Sequence, residues 1–108
     1  MIELLYEDVD GWSPFAEWRE ELDAVTRARV SRALSRVVHG NTSNVKGVGG
    51  GVSEVKMDFG PGYRVYFGRD GSTIIVLLGG GTKKRQQRDI EDAQTRWADY
   101  KRRKSAGV

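Results

Sequence analysis

Apolar and polar positions change period several times along the chain. Ile2, Leu4 and Tyr6 alternate with Glu3 and Leu5, the period-two pattern of a short strand, and the polar turn EDVDG closes it. Ser13 then Pro14 supplies an N-cap and a first-turn proline, whose missing N–H is one that a helix start leaves unpaired anyway. Phe15, Trp18 and Leu22 follow as one apolar stripe, which predicts a short helix. Asp23 caps a second helix with Val30, Ala33, Leu34, Val37 and Val38 on one face and Arg29, Arg32 and Arg36 on another. The segment 39–51, HGNTSNVKGVGGG, has no periodicity and reads as a long turn-rich loop.

Beyond the loop the period becomes two. Val55, Met57 and Phe59 take one face of a strand, and Glu54, Lys56 and Asp58 the other, charged and facing outward. After the turn Gly60-Pro61-Gly62 comes a strand with Tyr63, Val65 and Phe67 opposite Arg64 and Tyr66. Asp70-Gly71 is a two-residue hairpin signal. The strand 73–78 is apolar on both faces and belongs inside the sheet. Ile90, Ala93 and Trp97 then mark the core face of a final helix from about Arg85 to Lys104, with 105–108 frayed. The expected order is β-α-α-β-β-β-α, a single α+β domain over 1–108, with a small, mainly antiparallel sheet covered by helices on one side.

Composition narrows the chemistry. The 108 residues contain no cysteine and one histidine, His39, so thiolate metal sites, cysteine nucleophiles and histidine pairs are excluded and no cofactor is expected. The acidic N-terminus and short apolar runs predict neither a signal peptide nor a membrane span, and a cytoplasmic location. The net charge of +3 hides an asymmetry: 1–60 sum to −3 and 61–108 to +6. A basic half points to a polyanionic partner, nucleic acid first.

That charge is concentrated where the last apolar strand runs through three glycines into Lys83, Lys84, Arg85 and Arg88, four cations in six positions. Cations at a helix start oppose the macrodipole by about 0.3–1 kcal/mol each, so stability alone does not ask for them. An anion bound there would. The nucleotide-binding pattern G-x-x-x-x-G-K-[ST] is not met. On the sheet, Glu54, Lys56 and Asp58 beside Arg64 and Tyr66 read either as cross-strand ion pairs on a solvated face or as a catalytic patch. RNA carries its own nucleophile in the 2′-hydroxyl, so arginine and lysine for charge stabilisation, and lysine or tyrosine for proton transfer, suffice in principle. Tyr66 could also stack on a base. His39 reads as a dipole partner at a helix C-terminus, the Arg29/Arg32/Arg36 stripe as a solvated face or a nucleic-acid contact, and Trp12, Trp18 and Trp97 as packing residues.

The runs GGGVSEVKMDFGPGYRVYFGRDG, Gly49 to Gly71, and IIVLLGGGTKKRQQRDIEDA with WADYK resemble the RelE/ParE superfamily of bacterial toxins, specifically the HigB-like addiction module killer group. The resemblance implies the RelE-like fold and the toxin of a type II toxin–antitoxin pair. It further implies a cytoplasmic endoribonuclease that cleaves mRNA in the ribosomal A site without a metal, and a helix-turn-helix antitoxin through which alone operator DNA is met. The arginine of GYR falls on Arg64, and the basic residue after the last strand among Lys83, Lys84 and Arg85. Catalytic candidates are then Arg64, Lys83, Lys84, Lys56 and Tyr66, with Arg85 and Arg88 holding the RNA backbone. The paired lysines of cleaving members are not reproduced, since Glu54 and Asp58 flank Lys56. The gyrase-inhibiting ParE branch shares the fold and is the alternative.

Overall fold

A computed structural model describes residues 1–107; Val108, the end of the expected frayed tail, lies outside the described residues. The elements are β1 (Ile2–Leu5), α1 (Pro14–Glu20), α2 (Ala24–Val38), β2 (Val45–Gly49), β3 (Val52–Met57), β4 (Tyr63–Asp70), β5 (Ile74–Thr82), a 3₁₀ turn (Lys83–Arg85) and α3 (Gln86–Ala106). They form one five-stranded mixed sheet in the order β1-β5-β4-β3-β2, parallel only between β1 and β5. The chain is an α+β domain with three helices. No helix among the described residues is long and apolar enough to cross a membrane.

Local chemistry sets the helix starts as expected. Ser13 Oγ accepts from Ala16 N, with Pro14 in the first turn, and Asp23 Oδ1 accepts from Thr26 N at 2.7 Å. His39 is the C-cap of α2, its Nδ1 2.7 Å from Ser35 O.

Four expectations need correction. First, the segment 39–51 is not all loop: β2 pairs antiparallel with β3, matching Val45 to Val55 and Lys46 to Glu54, with a bulge between Gly47 and Gly49. An edge strand needs a partner for its backbone more than a periodic side-chain pattern, and two glycines blur what pattern there is.

Second, helices cover both faces of the sheet. Phe15 of α1 and Val30, Leu34 and Val37 of α2 pack on Val55, Val65, Phe67, Ile75 and Leu77, forming one core. Ala93 and Trp97 of α3 pack with Tyr6 on Val52, Tyr66, Val76 and Leu78, forming a second. The wholly apolar β5 divides its side chains between the two cores, which is why it shows no alternation. β1, by contrast, is an edge strand with Ile2 and Leu4 exposed and only Leu5 turned to the first core.

Third, the glycine triplet is strand, not a corner loop. β5 runs to Thr82, and Arg64, Val65 and Tyr66 of β4 pair with Gly81, Gly80 and Gly79. A Cβ on Gly80 would stand 2.5 Å from Trp18 Cδ2, and one on Gly81 2.9 Å from Asp89 Cγ on the other face. The missing side chains let α1 and α3 approach the strand from opposite sides. The hairpin at Asp70-Gly71 also differs, since Asp70 pairs with Ile74 across a loop of three residues and not two.

Candidate basic corner over a buried polar cluster

On the α3 face, the register lines up two rows of side chains across the strands. Lys46, Glu54 and Tyr66 form one row on β2, β3 and β4; Lys56 and Arg64 form the next, ending at Gly81 of β5. The first turn of α3 lies over these rows. Gln86 Nε2 donates to Glu54 Oε2 at 2.9 Å, and Asp89 packs on the bare backbone of Gly81.

The consequence is burial where a solvated face was expected. Glu54 is 1 % exposed, Arg64 5 % and Tyr66 fully buried. Arg64 Nε stands 3.7 Å from Glu54 Oε1, and Lys46 Nζ approaches the same oxygen at 3.9 Å from the solvent side. Arg64 Nη1 donates to Gly62 O at 3.0 Å. Burying ionised groups costs several kcal/mol per ion, roughly, unless they are paired and hydrogen-bonded. Here the pairing is incomplete: Glu54 Oε1, Arg64 Nε and the Tyr66 hydroxyl have no hydrogen-bond partner among the described residues.

Tyr66 therefore does not stand on an open sheet face as expected. Its ring packs in the second core and is not free to stack on a base. Burial first, then the charge of Glu54, push its phenol well above the usual range. Burial likewise raises the Asp89 carboxyl, against the nearby cations, of which Arg85 contributes most.

Around this buried cluster the expected cations are exposed. Lys83, Lys84 and Arg85 form the 3₁₀ turn, and Arg88 sits in the first turn of α3. None of the four has an ion pair among the described residues, and neither Thr82 nor Arg85 caps its helix through its side chain. Lys83 N donates to Gly62 O at 2.9 Å, the same carbonyl that Arg64 holds. Gly62, with φ of +79°, leaves room at that junction: a Cβ there would lie 3.3 Å from Arg64 Nη1 and 3.5 Å from Lys83 Cβ. Lys56, half exposed, lies opposite Arg64 and pairs with Asp58 at 3.4 Å. The strand register and the Gly62 junction thus bring Lys56, Arg64 and Lys83 together, and Lys84, Arg85 and Arg88 follow on the 3₁₀ turn and the first turn of α3.

Sequence reasoning placed Glu54 beside Arg64 but on a solvated face, and missed Gln86 and Asp89 as partners of this corner. Only the apolar stripe of α3 hinted at them, since Ala93 and Trp97 need a sheet face to pack on. Among the described residues no group of three or more His, Cys, Asp or Glu side chains is placed to hold a metal ion. Trp12 packs against α3 through Arg96, which lies 5.7 Å from its ring centroid.

These features define a small α+β domain with a mixed sheet, helices on both faces and a cationic corner over a buried ion pair. The chain is 33 % identical to an uncharacterized protein of Haemophilus influenzae over 81 residues, spanning 74 % of this chain and 82 % of that protein. It belongs to the same family as that protein. No protein-family model matches the chain.

Proposed function

We propose that the chain is a RelE/ParE superfamily toxin of the HigB-like group, with a RelE-like fold, and that it cleaves mRNA on the ribosome. The observation that carries this reading is the unpaired cationic rim, Lys83, Lys84, Arg85 and Arg88, set against the helix dipole and joined through Gly62 to Arg64. A phosphate at this corner would meet positive side chains and helix N–H groups together.

In this reading the 2′-hydroxyl oxygen attacks the adjacent phosphorus, the bond to the 5′-oxygen breaks, and a 2′,3′-cyclic phosphate and a free 5′-hydroxyl result. The rim lysines and arginines neutralise the phosphorane and hold the flanking phosphates. Lys56, exposed where Tyr66 is buried, is the proton donor of this reading: its ammonium gives a proton to the leaving 5′-oxygen, and the 2′-hydroxyl's proton passes to solvent, which restores the lysine. Arg64 supplies fixed positive charge beneath the reacting phosphate, held in place by Glu54 and Gly62 O. A small helix-turn-helix antitoxin neutralises the toxin and carries the pair to operator DNA.

The burial of Arg64 against Glu54 favours a second reading, a non-cutting ParE-like inhibitor of DNA gyrase, because it withdraws the strongest charge stabiliser from solvent. Mapping of mRNA 5′ ends after induction separates the two. In-frame cuts with growth arrest, both relieved by Lys83→Ala/Lys84→Ala/Arg85→Ala, support cleavage. Growth arrest with intact mRNA and a DNA-damage response replaces it with the gyrase reading, and normal growth removes both.

A further inference from the structure

Between α2 and the outer edge of the sheet lies a cavity of about 310 Å³ that takes in none of the rim cations of the corner. Its floor is aliphatic, with Ala33 and Val37 of α2 facing Val45 of β2 and Met57 of β3. Its rim is the arginine stripe, Arg29, Arg32 and Arg36, with Lys56 on the opposite wall. None of the three arginines has an ion pair among the described residues. The acidic side chain on the wall, Asp58, is held by Lys56 at 3.4 Å. Three arginines without an ion pair among the described residues therefore line a cavity whose carboxylate, Asp58, is already paired with Lys56.

We propose that this cavity docks an acidic protein segment, which inserts an aliphatic side chain between α2 and β2 and lays carboxylates along the arginine stripe. Charge complementarity selects the sign of the partner. The floor selects its kind. Single-stranded nucleic acid binds by stacking bases on exposed rings, and the only ring on this wall, Phe59, is covered by the Arg29 guanidinium 4.7 Å from its centroid. An aliphatic floor and a volume at the small end of binding pockets suit one or two apolar side chains instead. Arg29, Arg32 and Arg36 are spaced i, i+3 and i+7, spanning roughly 10 Å of helix. Carboxylates at the same spacing on an amphipathic helix would meet all three while its apolar positions face the floor. The inference rests on the arginine stripe and the aliphatic floor, uses none of Lys83, Lys84, Arg85 and Arg88, and stands whether or not the corner cuts RNA.

The test uses the whole protein and a displayed library of 16-residue peptides, with depletion on the Arg32→Glu/Arg36→Glu variant. Both side chains are exposed and unpaired, so that variant should fold, which circular dichroism checks. The expected result is enrichment of peptides with several Asp or Glu residues around an aliphatic one. A synthesised winner should bind at least tenfold more weakly to the variant and lose affinity with added salt. Winners without acidic residues, or winners that bind the variant equally well, overturn the proposal. So does a uridine dodecamer that loses tenfold on the variant while no acidic peptide is enriched, because the stripe is then a nucleic-acid contact.

Discussion

Arg64 Nε and Glu54 Oε1 stand 3.7 Å apart on adjacent strands, both buried and both lacking a hydrogen bond at those atoms. Their attraction is what offsets two desolvated charges, so removing one partner should cost more than removing both. Glu54→Gln keeps the shape and strands the guanidinium, and a loss of about 3 kcal/mol is expected. Glu54→Leu with Arg64→Met should unfold at a higher urea concentration than Glu54→Gln. Equal urea midpoints for the single and double variants would show that the pair is not coupled.

Tyr66 tests the same cluster from the other side. Its hydroxyl is buried with no partner, and an unsatisfied buried group costs about 1–3 kcal/mol. Tyr66→Phe should therefore be as stable as the wild type or more so. In the RNA-cleavage reading it should also keep its growth-arresting activity within about threefold, since a fully buried hydroxyl does not reach a bound substrate. Folded but inactive Tyr66→Phe protein would return the tyrosine to the mechanism.

Elements with their own local signals were legible in the sequence. Ser13 and Asp23 announced α1 and α2, the alternation of Tyr63, Val65 and Phe67 announced β4, and Ile90, Ala93 and Trp97 announced α3. β2 was not, because Val45-Lys46-Gly47-Val48-Gly49 is made a strand by β3 and not by its own composition. The two-sided sheet was hidden by Glu54, Arg64 and Tyr66, whose polarity mimics a solvent face although α3 buries them. Of the site, the cationic rim could be read from spacing alone. The pairing of Arg64 with Glu54 could not, since it depends on strand register and on Gln86 from a distant helix.

Gly80 carries a prediction about packing. Alanine there would push its Cβ to 2.5 Å from Trp18 Cδ2, a contact that must be relieved by moving α1. Gly80→Ala should cost about 1–3 kcal/mol, the usual scale of overpacking. Combining it with Trp18→Leu should recover part of that loss, which a double-mutant cycle by urea unfolding measures. Strictly additive losses would place the strain elsewhere.

The far end of α3 should respond to acid. Asp70 is held below the usual aspartate value of 3.8, first by Lys104, whose Nζ lies 2.5 Å from Oδ2, and then by Tyr100. Asp99 is depressed likewise, first by the Tyr6 hydroxyl at 2.7 Å and then by Arg103 and Arg102. A carboxylate with a lowered folded pKa stabilises fully above its unfolded value, and that contribution fades as the pH falls through the folded one. The melting temperature should therefore drop between about pH 5 and pH 3, and Asp70→Asn/Asp99→Asn should flatten the drop. At the alkaline end Tyr100, pushed up to about 12 by burial and then Asp70, loses its contribution as the pH rises toward that value.

Arg88 separates stability from binding. It stands exposed in the first turn of α3 without an ion pair among the described residues, where the dipole disfavours it. Arg88→Glu should then raise stability, by about 0.3–1 kcal/mol, and in the RNA-cleavage reading weaken RNA binding. Removing a phosphate contact lowers affinity uniformly across sequences and reduces the salt slope by about 1. Fluorescence anisotropy with a labelled oligoribonucleotide at several salt concentrations, beside urea unfolding, reads both effects on one variant. Opposite signs would show that the cation is held at this helix start for a ligand. A variant that is more stable and binds RNA unchanged would make the rim a solvated surface and remove the observation on which the proposed function rests.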